Sequence, residues 1–199
     1  MNGELLDGKR SPKQGYVMHV RLQVLAALLG VALMGSCSHP PPPPAAGCFL
    51  ATRLKGALEA AIDWRGDTLL CEGGARPEGR GLRASFAGKG PQGEALRFVF
   101  GLAAMPGAGE SRNVATHLTL IVEGSGKLYA TQGDAQCTTE RLQQSPLAAQ
   151  PGQWRVRARG YCIDPAATLD ASARLYMERF DFEGQARFDP EDLDVVRKP

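Results

Sequence analysis

The sequence predicts a mainly β domain: an antiparallel β-sandwich or barrel-like fold led by one N-terminal amphipathic helix and stapled by disulfides. Three observations predict it. After Trp64, apolar residues recur at every second position in short runs, the period of a half-buried strand. The runs are punctuated by turn-like stretches drawn from 24 Gly and 14 Pro, which favours many short strands. Beyond residue 47 the cysteines form an even set, Cys48, Cys71, Cys137 and Cys162.

The elements follow in chain order. Val24 to Met34 reads VLAALLGVALM, eleven apolar or glycine residues. A membrane-spanning helix needs about 20 such residues, whereas eleven suits the h-region of a signal peptide. The preceding MNGELLDGKRSPKQGYV carries two acids and is long for an n-region, while Met18 opens the compact basic segment MHVRLQ. Translation from Met18 fits this pattern better than translation from Met1. Met34-Gly35-Ser36-Cys37 resembles the lipobox of bacterial lipoproteins, with Met34 in the place more usually held by Leu. The resemblance covers residues 18 to 38. It implies a signal peptide over 1–36, cleavage before Cys37 and lipid on the Cys37 thiol and the new N-terminus. Several acyl chains on one residue suffice for stable anchoring. Ser38, rather than Asp, after the cysteine implies the outer membrane. The rival is an ordinary secretory signal cleaved near Gly35. Pro40 to Pro44 favour the anchor, because a polyproline II rod of ~15 Å is a natural spacer between bilayer and domain. Residues 37–47 are thus anchor and tether, 48–188 the β domain and 189–199 a frayed tail.

In an exported chain the four remaining cysteines are expected as disulfides. Of three pairings, spacing favours Cys48–Cys71 and Cys137–Cys162, each closing a short segment. Zinc is disfavoured: there is no C-x-x-C, and past the cleavage point the histidines are His39 and His117. No cofactor is implied.

Residues 49–63, FLATRLKGALEAAID, predict the helix: Leu50, Leu54, Leu58 and Ile62 fall at steps of four. Strands are predicted over 68–71, 82–87, 96–101, 114–123, 127–132, 136–140, 154–162 and 173–182. Leu96, Phe98 and Phe100 share one face; Val114, Thr116, Leu118, Leu120 and Val122 share another. Leu175 and Met177 differ in parity from Phe180 and Phe182, so a bulge is expected near Glu178. The stretches CEGGARPEGRG, TQGDAQC and RGYC are similar to a group of proteobacterial envelope proteins; that likeness implies one intact domain and brings no activity to carry over.

The charge distribution excludes some functions. Of 23 basic and 21 acidic residues, four and two lie in residues 1–36, which leaves 19 of each beyond. A nucleic-acid partner needs a basic excess on the binding domain, so none is expected. Arg155, Arg157 and Arg159 alternate along one strand face, a ladder suited to carboxylates or phosphates. The plainer reading is a solvated face paired with acids such as Glu178 on a neighbouring strand. Tyr161 and Tyr176 would add stacking surface for sugars. Arg65-Gly66-Asp67 spells an adhesion tripeptide but sits where turn residues are expected. Asp189, Glu191, Asp192 and Asp194 lack the spacing of an EF-hand loop. A Ser–His–acid site would have to use His117, and no G-x-S-x-G elbow accompanies it. The expectation is therefore a lipid-anchored cell-envelope protein with a non-catalytic binding or structural domain. The alternatives are a module for anionic or sugar polymers and an envelope-polymer hydrolase. Its partners would be the membrane, through Cys37, and an envelope polymer or protein.

Overall fold

In a computed structural model of the chain, residues 47–66, 68–77, 81–148, 150–189 and 192 are described. The expected signal peptide, Met18, Cys37, the expected tether over Pro40–Pro44 and most of the expected tail lie outside them. The described residues are almost all β: β1 (Phe49–Gly56), β2 (Ala60–Arg65), β3 (Leu70–Ala75), β4 (Leu82–Lys89), β5 (Ala95–Leu102), β6 (Gly109–Val122), β7 (Lys127–Ala130), β8 (Cys137–Pro146), β9 (Gln153–Cys162), β10 (Ala166–Ala167) and β11 (Arg174–Arg187).

The pairings form a closed circuit. From β6 one path runs through β5, β4 and β3 to β11, and the other through β8 and β9 to the same β11. All pairs are antiparallel except β3–β11, which meet in parallel at Gly74 and Arg187. Gly73 and Gly74, expected in a turn, belong to β3. A Cβ on Gly73 would lie 2.8 Å from the carbonyl oxygens of both Arg83 and Gln185, so a bare backbone is what lets β3 close against β11.

The helix expected over 49–63 is instead the β1–β2 hairpin, with Phe49 opposite Arg65 and Leu54 opposite Ala60. A spacing of four is also two strand repeats, so Leu50, Leu54 and Ile62 point inward in either conformation. What hid the alternation is Thr52, a polar residue at an inward position and only 9 % exposed. Its Oγ1 donates to the Arg179 carbonyl at 2.7 Å, which supplies the partner a buried hydroxyl requires.

That carbonyl belongs to the bulge expected near Glu178. Thr52 pairs with Phe180 and Leu54 with Met177, so β11 spends one extra residue there. Leu175, Met177, Phe180 and Phe182 all become buried, while Glu178 and Arg179 both face out. Inside the circuit Phe86, Phe98, Phe100 and Phe182 are fully buried. Trp64 packs edge-on against Phe98 at 5.4 Å and donates from Nε1 to the Lys89 carbonyl at 2.8 Å. The β1–β2 hairpin is thereby fastened to the end of β4.

Both disulfides pair as the spacing favoured, with Cα–Cα distances of 6.5 Å for Cys48–Cys71 and 3.9 Å for Cys137–Cys162. The second links directly opposed residues of β8 and β9. The first ties β1 to β3, two strands that flank β11.

The β10–β11 turn is built around Asp170, whose Oδ1 accepts from Thr168 Oγ1 at 2.6 Å, Ser172 Oγ at 2.8 Å and Ser172 N at 3.2 Å. The Thr168 and Ser172 hydrogen bonds lower its pKa from 3.8 to about 2. A carboxyl depressed by folding stabilises the turn fully above its ordinary pKa, and this contribution disappears as pH falls through about 2. A carbon-13 carboxyl titration should show Asp170 with a midpoint near 2, moving up toward 3.8 in Thr168→Ala. A midpoint near 3.8 in the unsubstituted protein would show that the turn's hydrogen bonds do not form in solution.

Candidate functional site

One inward-facing row crosses six strands in register: Ile62 of β2, Thr52 of β1, Phe180 of β11, Gly160 of β9, Thr139 of β8 and Val114 of β6. Residues flanking this row point outward, and there the sheet carries an open groove of about 990 Å³. Six strands at ~4.8 Å spacing make the row ~24 Å long. Outward Ala51 and Ala61 leave the side of the groove over β1 and β2 low.

Three backbone irregularities sit at this level. β11 bulges at Glu178 and Arg179. β8 bulges at Glu140, since Thr139 pairs with Gly160 and Arg141 with Arg159. Asn113 of β6 takes φ 53°, a left-handed value that asparagine tolerates better than most residues. Bulges re-aim side chains, and here they put Arg112 with Asn113, Glu140 with Arg141, and Glu178 with Arg179 along the same groove. Arg179 Nη2 donates to Glu140 Oε2 at 2.7 Å, so the two bulges are joined across β9. Gly160 lies beneath. A Cβ there would fall 2.1 Å from the Thr138 carbonyl oxygen and 2.5 Å from Phe180.

The groove is lined by Arg53, Arg112, Arg141, Arg159 and Arg179, against Asp63, Glu140, Glu178 and Asp181, with Tyr161 among them. Several acids hold arginines in place. Glu110 accepts from Arg141 Nη2 at 2.6 Å and from Arg112 Nη2 at 2.8 Å; the Arg141 hydrogen bond, with smaller help from Arg112, holds its carboxyl below the usual range. Glu178 pairs with Lys55, and that contact lowers its pKa too. A glycosidase general acid requires a raised pKa, so Glu178 is unsuited to that role. The Arg159 side chain makes no hydrogen bond or ion pair among the described residues. It lies between Arg141 and Asp181 in register, and Asp181 Oδ1 is buried without a hydrogen-bond partner.

The ladder of Arg155, Arg157 and Arg159 stands on the outer face of β9 as its alternation implied. Its acidic partner is Glu183 rather than Glu178. Glu183 lies 3.5 Å from Arg155 Nε and 3.9 Å from Arg157 Nη1, and the Arg157 guanidinium sits 5.5 Å over the Phe49 ring. Of the ladder only Arg159 lines the large groove, and of the two tyrosines only Tyr161. Sequence reasoning missed Arg53, Arg112, Arg141 and Arg179, because each lies on a different strand and only the register assembles them. The expected bulge at Glu178 was the one available signal.

The other candidates resolve into structure. His117 Nε2 lies 3.2 Å from Thr119 Oγ1 and its Nδ1 3.2 Å from Thr131 Oγ1, an outer-face brace between β6 and the end of β7. Arg65 pairs with Asp63 at 2.8 Å and lies over Phe49, while Asp67 falls outside the described residues. Asp189 and Asp192 close a local turn through two 3.0 Å hydrogen bonds. Among the described residues no three of His, Cys, Asp and Glu are grouped to hold a metal ion. Compared with known proteins, the chain matches no protein-family model, no curated protein and no solved structure.

Proposed function

We propose that the protein is a lipid-anchored component of a bacterial cell envelope, held at the outer membrane through Cys37, whose barrel-like β domain acts by binding or by supporting an assembly. The observation that carries this reading is the Met34-Gly35-Ser36-Cys37 motif at the end of a short apolar run, followed by the Pro40–Pro44 spacer. Two disulfides in the domain support it, since such bonds persist in oxidising compartments outside the cytosol.

The test is the intact mass of protein extracted by detergent from its native membranes, before and after reduction. The expected mass begins at Cys37, carries added acyl chains and rises by about four hydrogens on reduction of two disulfides. An unlipidated chain starting elsewhere overturns the anchor and leaves a soluble exported protein.

A further inference from the structure

We propose that the groove across β2, β1, β11, β9, β8 and β6 binds a linear acidic polysaccharide, with Arg159 and Arg53 as carboxylate-binding residues and Asp181 as the acceptor for a sugar hydroxyl. This deepens the reading of the domain as a binding module and does not depend on the lipid anchor.

Charge segregation is the first argument. The domain over 48–188 has 17 Arg or Lys against 15 Asp or Glu, of which β1, β2, β8, β9, β11 and residues 109–113 of β6 carry eleven Arg or Lys against six Asp or Glu. The turns take up acids: Glu59, Glu94, Glu123, Asp134, Asp164 and Asp170 all lie between strands. The groove's basic groups are guanidiniums, which match carboxylates in bidentate geometry. Arg112, Arg141 and Arg179 are oriented by Glu110 and Glu140, and an arginine's five donors leave several free after one such pairing.

Asp181 is the second argument. A buried acceptor without a partner is costly and rare in native structures. Asp181 lines the groove opposite Arg159 in register; its Oδ1 is turned away from solvent, and a rotation of the carboxylate would bring it to a hydroxyl donor from a ligand. A simple polyanion offers acceptors only, whereas an acidic sugar chain offers carboxylates for the arginines and hydroxyls for Asp181. Tyr161 adds a flat apolar face of the kind that sugar rings pack on, and the ~24 Å row takes several sugar units in line. The volume of about 990 Å³ is at the upper end of the ~300–1,000 Å³ range of ligand sites.

The experiment measures binding of fluorescent oligogalacturonate and of inorganic polyphosphate to the full chain in detergent, by anisotropy at low and moderate salt. The unsubstituted protein is expected to bind oligogalacturonate more tightly than polyphosphate of equal charge, and more weakly as salt rises. Arg53→Glu with Arg159→Glu should weaken oligogalacturonate by at least about tenfold, the scale of a lost charge-assisted contact. Lys127→Glu, in the exposed β6–β7 hairpin, should change nothing. Asp181→Ala should weaken oligogalacturonate several-fold while leaving polyphosphate no weaker, with circular dichroism melts confirming that each variant is folded. Absence of oligogalacturonate binding overturns the proposal. So does equal loss of both ligands in Asp181→Ala, or polyphosphate binding as tightly as oligogalacturonate, either of which reduces the groove to general charge attraction. Loss on Arg155→Glu with Arg157→Glu but not on the groove pair moves the site to the outer ladder and also overturns it. None of these results bears on the mass test of the anchor.

Discussion

Reduction of both disulfides is expected to lower the unfolding free energy by about 6 kcal/mol, on the scale of about 3 kcal/mol for each closed loop of this size. The bonds span 23 and 25 residues that do not overlap, so the two contributions should add. A domain of this size has about 5–15 kcal/mol in total, which places the reduced form close to unfolding. The two bonds differ in what they secure. Cys137–Cys162 reinforces strands already joined along the β8–β9 ladder. Cys48–Cys71 ties β1 to β3, which share only their contact with β11. Urea unfolding with and without reductant measures the effect; an unchanged midpoint would show that the fold stands without its staples.

Phe182→Ala should cost about 3–5 kcal/mol, the range for a fully buried aromatic whose site cannot collapse. Phe182 has no exposed surface. Its ring centroid is 4.8 Å from that of Phe100, 5.0 Å from Phe86 and 6.1 Å from Phe180, so truncation removes the centre of a four-ring cluster. The residue also lies on β11, the strand through which both paths of the sheet close. Tyr176→Ala, on the same strand but 45 % exposed, should change stability by less than about 1 kcal/mol. Denaturant midpoints compare the two variants directly, and a Phe182→Ala loss no larger than that of Tyr176→Ala would mean that the ring cluster is not the core.

Much of the fold was legible from period alone. Leu96, Phe98 and Phe100 face inward as their alternation required, and so do Val114, Thr116, Leu118 and Leu120. The change of parity between Met177 and Phe180 located a real bulge. Legibility failed where a polar residue occupied an inward site, as Thr52 does, or where strands lacked an apolar face. Residues 109–113 and 141–146 fell outside the expected strands, yet they lie in β6 and β8, because a neighbouring strand offers their backbone a ladder. The two-residue β10 was expected in a turn.

Of the candidate site, the Arg155, Arg157 and Arg159 ladder was visible because all three belong to one strand. The groove was not, since Arg53, Arg112, Arg141 and Arg179 are far apart in the chain and become neighbours only through register.

By itself the sequence determined the β class, the pairing favoured for the four cysteines and the inward residues of the strands with clean alternation, because burial follows local periodicity and each disulfide closes a local loop. The tertiary structure alone decided that residues 49–63 form a hairpin, that Gly73 and Gly74 let β3 meet β11, and that arginines from five strands share one groove. Strand pairing is a long-range choice. A spacing of four satisfies helix and strand equally until the β11 edge supplies hydrogen-bond partners for β1, and an outward arginine is only a solvated charge until register sets others beside it.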